Sequence, residues 1–159
     1  MNSHDVYNRL EEQARALLDR AADFVANAGN FAALIRNELP GVNWAGFYLA
    51  APNGELVLGP FSGAPACTRI ARGRGVCGAA AEQRATIVVA DVESFADHIV
   101  CDAASRSEIV VPLFIRDMFF GVFDVDSPAL ARFTDADRIG LERLVALFAE
   151  SLTPQTSAR

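Results

Sequence analysis

The sequence has no excess of positive charge. Its 14 Lys and Arg stand against 20 Asp and Glu, giving a formal net charge of -6 at pH 7 and a pI near 4.8. Without a basic stripe to neutralise phosphates, nucleic acid is excluded as a partner, and so is attraction to an anionic membrane surface. No apolar run approaches the roughly 18 residues of a membrane span. The opening residues, MNSHDVYNRLEEQ, carry charge where a secretory signal needs an apolar stretch, so a cytoplasmic location is expected. Repeats, low-complexity tracts and linkers are also missing. The 159 residues therefore read as one domain, 1–159, with flexible ends at 1–4 and 153–159. Cysteine is scarce: three residues, an odd number, with no C-x₂-C pair. That excludes a disulfide framework and disfavours a structural zinc site, although Cys67, Cys77, Cys101 and His98 together would suit that metal.

What is present is a hydrophobic chain, 52% by composition, with clear periodicities. Apolar residues at three- and four-residue steps predict an amphipathic helix over 5–27, stopped by Asn27 and Gly29, and a short second helix over 30–38 ahead of Pro40. Alternating aromatic and aliphatic residues predict strands over 42–50 and 55–59, joined by the turn Pro52-Asn53-Gly54. Further strands are expected over 86–90, 108–114 and 118–126, the last two joined by a tight turn at 115–117. A final helix is expected over 133–152, with Thr134 as N-cap and Asp137 three residues on. The grouping predicts an α+β domain: a central antiparallel sheet, N- and C-terminal helices packed on one face, and a loop-rich ligand side.

The reactive groups concentrate in residues 65–111, which hold all three cysteines, His98 and several carboxylates. Gly73 and Gly75 bracket Arg74, after which Val76-Cys77-Gly78 opens an alanine-rich helix through Gln83. The G-x-G is too short for a dinucleotide fingerprint. A helix start would instead set Cys77 where backbone N–H groups and the helix dipole favour a thiolate. Cys101 lies in the loop 91–105 beside His98 and Asp102, the latter read as a surface or loop-capping residue. Asp124 and Asp126 share parity and so face one side of their strand. They are either a solvated strand end or a site for an ammonium group.

The segments NWAGFYL, LGPFSGAPAC, GRGVCG, DVESFADHIVCD, SEIVVPL and GVFDVDSP resemble the free methionine-(R)-sulfoxide reductases, enzymes of the GAF fold. The chain departs from the family pattern at Ala96-Asp97, where Pro-Gly is usual, and at Val100, where alanine is usual. The resemblance implies Cys101 as nucleophile and Cys67 and Cys77 as resolving and recycling thiols, their division of labour left open. It also implies Glu108, Asp124 and Asp126 as substrate-binding carboxylates, Trp44 and Tyr48 as an aromatic pocket wall, and no cofactor or metal. The implied partners are free methionine sulfoxide, thioredoxin as reductant and a second copy in a homodimer.

The residues suit that chemistry. A thiolate attacks the sulfoxide sulfur while an acid protonates the oxygen, and the resulting sulfenic acid condenses with a second thiol. A non-catalytic GAF ligand-binding or redox-sensing module is the competing expectation. Sensor modules normally sit beside an output domain, for which this chain has no room. A zinc-stabilised structural protein is a third.

Overall fold

The computed structural model describes residues 3–99, 101 and 103–152. In chain order the helices are α1 (Ser3–Leu17), α2 (Phe24–Glu38), α3 (Gly75–Gln83) and α4 (Asp135–Ser151). The strands are β1 (Trp44–Ala50), β2 (Leu56–Ser62), β3 (Arg69–Ile70), β4 (Ile87–Val89), β5 (Ser107–Ile115) and β6 (Met118–Ser127). A 3-10 turn, Val92–Ser94, precedes the loop that carries Cys101. All strand pairs are antiparallel, in the order β3-β2-β1-β6-β5-β4.

Strand parity divides the molecule. Ala45 and Phe47 of β1, Ile109, Val111 and Leu113 of β5, and Phe123 and Val125 of β6 pack with α1, α2 and α4 in one core. Phe31, Phe47, Phe123 and Phe148 interlock there with ring centroids 4.7–6.0 Å apart, and each buried ring contributes about 1.5–3 kcal/mol. The even-numbered residues of the same strands face α3 and the loops in a second cluster. The expected arrangement, an antiparallel sheet with terminal helices on one face and loops on the other, is what the chain forms.

Two local expectations change. The helix expected over 5–27 ends at Leu17, and Asn27 and Gly29 lie inside α2. The Asp19 carboxylate accepts from Ala21 N–H, a local bond that competes with helix continuation. Asn27 does not stop a helix; its side chain bonds both the N–H and the C=O of Asp19 and closes the corner. The strand β3 has two residues, too few for any periodicity to register. At the C-terminal helix, Thr134 and Asp137 form a reciprocal capping box.

Candidate active site

The site is built on three adjacent strands. Their register sets Trp44 opposite Asp126 and Asp126 opposite Glu108 in one row. The next row is Gly46, Asp124 and Val110, and the next is Tyr48, Val122 and Pro112. Even parity therefore brings two aromatics and three carboxylates from β1, β6 and β5 onto one face. Gly46 is dictated by packing, since a Cβ there would collide with Phe61 and the Trp44 ring. Trp44 stacks on Phe61 and Tyr48 at 5.3 and 6.1 Å. Its indole N–H donates to the carbonyl oxygen of Ala64 at 2.9 Å, and the Tyr48 hydroxyl donates to that of Cys67 at the same distance. The aromatic wall thus holds the 64–67 segment in place.

The opposite wall is α3. Cys77, in its first turn, is buried with its Sγ 3.9 Å from Glu108 Oε1. Cys67 and Cys101 are joined in a disulfide with Cα atoms 5.3 Å apart. The loop leading to Cys101 lies over the start of α3, Ile99 packing against Gly75. Together Trp44, Tyr48, Cys77, Cys101, Glu108, Asp124 and Asp126 line one pocket, which also takes in Arg74, His98 and Ser105. Of the catalytic and substrate-binding residues expected from the sequence, all line this pocket except Cys67, which borders it through its bond to Cys101. Asp102 and Val100 lie outside the described residues, as does the tail at 153–159. Arg74 and Ser105 were missed as lining residues. The glycines on either side of Arg74, both in the left-handed region, were the available signal for the first; Ser105 Oγ, buried without a partner, had none.

Burial dominates the electrostatics. Asp124 and Glu108 are only 6% and 7% exposed, which excludes the solvated strand end for Asp124. Burial pushes the Glu108 carboxyl up to about 7, with hydrogen bonds to Asp124 and Cys77 opposing the rise. Burial, then repulsion from Asp126 and Glu108, raises Asp124 well above the ordinary carboxyl range, and Asp124 Oδ1 has no hydrogen-bond partner. At neutral pH the three carboxyl groups therefore carry fewer than three charges. Burial also raises the Tyr48 phenol, which stays protonated. Burial lowers His98, leaving a neutral imidazole.

The expectation for Cys77 is corrected. It does sit at a helix start, but desolvation and the facing Asp124, Glu108 and Asp126 raise its thiol well above the usual value. A helix dipole contributes at most about 2 kcal/mol, which buried carboxylates outweigh. The zinc set considered from the sequence also changes, because Cys67 and Cys101 are bonded to each other. Among the described residues the close ligand atoms belong instead to Cys77, Glu108 and Asp124, all within 4.8 Å of one another.

Residues 29–152 match the model of the GAF domain family. The Escherichia coli free methionine-R-sulfoxide reductase is 47% identical, the match covering 92% of this chain and 88% of that protein. The Neisseria meningitidis free methionine-R-sulfoxide reductase, solved in complex with its substrate, superposes with a TM-score of 0.84 at 42% identity, covering 94% of this chain and 87% of that one. A Burkholderia vietnamiensis structure described as a candidate GAF sensor superposes with a TM-score of 0.90 at 54% identity, covering 95% and 96%. The chain belongs to the free methionine-R-sulfoxide reductases, an oxidoreductase family within the GAF proteins.

Proposed function

We propose that this chain, working as a single GAF domain, reduces free L-methionine (R)-sulfoxide to L-methionine. The observation that carries the reading is the Cys67–Cys101 disulfide at a pocket floored by Glu108, Asp124 and Asp126. In the reduced protein the Cys101 thiolate attacks the sulfoxide sulfur and Glu108, poised near neutrality, protonates the oxygen. The protonated oxygen passes from the methionine sulfur to the Cys101 sulfur as the S–O bond and the newly formed S–S bond break, so methionine leaves reduced and Cys101 carries the oxygen as a sulfenic acid. The Cys67 thiol then displaces it as water, forming the disulfide. An external dithiol, thioredoxin, restores both thiols by exchange.

The pairing supports Cys67 as the principal resolving thiol, leaving buried Cys77 a secondary part in recycling. Asp126 and Asp124 receive the α-ammonium through charge-assisted hydrogen bonds, and backbone N–H groups at the start of α3 face the α-carboxylate. Trp44 and Tyr48 supply the apolar wall for the methyl group. An enclosed pocket that engages both α-groups rejects the same residue within a polypeptide.

Dithiol recycling fits a reducing, cytoplasmic setting. Among the described residues no helix is long and apolar enough to cross a membrane. A homodimer, implied by the resemblance, belongs to the same reading. The apolar faces of α1 and α4 are used inside the chain, whereas Val25, Met118, Phe114 and Phe120 are exposed.

The test follows NADPH oxidation with thioredoxin and thioredoxin reductase. Free (R)-sulfoxide is turned over, while free (S)-sulfoxide and a peptide-bound sulfoxide are not. Turnover of none, or of all three equally, contradicts the proposal.

A further inference from the structure

We infer that Arg74 reads the α-carboxylate of the substrate and that Asp97, its partner in this structure, competes with that carboxylate for it. The inference rests on the function proposed above and assigns a specificity determinant to the same pocket.

The charges lining the pocket are unevenly placed. Its sheet wall contributes Glu108, Asp124 and Asp126, and His98 is held neutral by burial. Arg74 is the only cationic side chain among the described lining residues, and it enters from the opposite wall as the residue that precedes α3. A zwitterionic amino acid presents an ammonium and a carboxylate on one carbon. With the ammonium drawn to the acidic sheet, the carboxylate meets the α3 wall, where Arg74 and the first N–H groups of the nine-residue helix converge. Glycines with positive φ on both sides of Arg74 (+72° and +63°) let the backbone fold tightly there, so the guanidinium is delivered by a dedicated turn.

In this structure that guanidinium is already engaged. Asp97 Oδ2 accepts from Arg74 Nε. Asp97 sits at φ +68°, in the left-handed region where glycine is at ease and a side chain is strained. The chain carries an aspartate there, and its carboxylate takes up a guanidinium donor that the substrate's carboxylate would use. The two side chains are 56% and 44% exposed, so the pair is weak and exchangeable. Asp97 therefore lowers affinity for a free amino acid by a modest factor instead of blocking it, and that factor shrinks with added salt.

Trp44 lines the pocket and is the only tryptophan in the chain, so its fluorescence reports binding without turnover. Dissociation constants are measured in the Cys101→Ser protein for free methionine (R)-sulfoxide and for its α-amide, which keeps the ammonium and loses the carboxylate. Arg74→Met is expected to weaken the acid about ten- to hundredfold and the amide by no more than about twofold. Asp97→Asn is expected to tighten the acid about two- to fivefold, to leave the amide unchanged, and to have no effect once Arg74 is Met. Equal weakening of acid and amide by Arg74→Met overturns the inference, because a merely structural role acts on both. Weaker acid binding in Asp97→Asn overturns the competition. No fluorescence response to the sulfoxide with Arg74 intact overturns the functional reading itself.

Discussion

The phenol of Tyr48 donates a hydrogen bond to the carbonyl oxygen of Cys67, 2.9 Å away, so one residue serves both the pocket wall and the loop that carries half of the disulfide. Tyr48→Phe keeps the ring stacked on Trp44 and removes the tether. The expected result is a KM changed by less than about threefold with disulfide formation slowed about five- to tenfold, the loss of one ordinary hydrogen bond. Trapping of the Cys101 sulfenic acid with dimedone during single turnovers measures this. Unchanged trapping means that the hydroxyl does not position Cys67.

The three cysteines separate by stoichiometry. Reduced protein given excess sulfoxide and no reductant yields one methionine per chain. Cys101→Ser yields none. Cys67→Ser still yields one but forms no disulfide and stalls when thioredoxin is supplied. Cys77→Ser impairs recycling less than Cys67→Ser does, because Cys77 is buried, protonated and outside the bond. A fully active Cys101→Ser protein overturns the assignment of the nucleophile.

Glu108 sets a pH dependence of both activity and stability. As the acid, raised by burial to about 7, it loses its proton above neutrality, so kcat/KM falls on the alkaline side. Glu108→Gln, which cannot donate a carboxyl proton, lowers the rate about a hundredfold or more. The stability effect has a definite sign. The folded protein keeps this proton between its ordinary value of 4.5 and about 7, where the unfolded chain has released it. Stability contributed by the protonated group is therefore complete below 4.5 and declines as pH rises through about 7. Urea titrations of wild type and Glu108→Gln should diverge in this direction between pH 5 and 7.5, a range chosen from that same linkage. A constant difference between them denies the shift.

Asp137 anchors the terminal helix to the first one. Burial alone would raise its carboxyl, but hydrogen bonds from Thr134 and Tyr7 and the charge of Arg132 hold it below the ordinary value. Tyr7→Phe and Thr134→Ala are each expected to cost about 1–2 kcal/mol in denaturant titrations. Because they share Asp137, the double variant is expected to lose less than the combined effects. Gly140→Ala sets a methyl group against the Tyr7 ring and is expected to cost about 1–3 kcal/mol by overpacking. Unaltered turnover in Tyr7→Phe separates this network from the pocket on the other side of the sheet.

Much of the frame was legible. Alternation identified β1, β5 and β6, and parity alone aligned Asp124 with Asp126 because side chains in a strand repeat every two residues. The capping box at Thr134 was equally visible, since its parts lie three residues apart. The corner at residues 18–23 was not. It depends on Asn27 bonding the backbone of Asp19, and an asparagine between apolar residues signals a helix stop as readily as a clasp.

By itself the sequence determined every strand but β3, the C-terminal helix, the acidic balance of charge and the inventory of three thiols and three carboxylates. Those properties are local or additive, so neighbours in the chain suffice to specify them. Tertiary structure decided which thiols join, because Cys67 and Cys101 stand 34 residues apart and meet only where the loops on the sheet's second face converge. It decided that Cys77 is a buried thiol instead of an activated thiolate, because desolvation and facing carboxylates depend on what the sheet brings opposite α3. It also decided that Arg74 and Asp97 face each other across the pocket's edge, a pairing of charge that no spacing along the chain records.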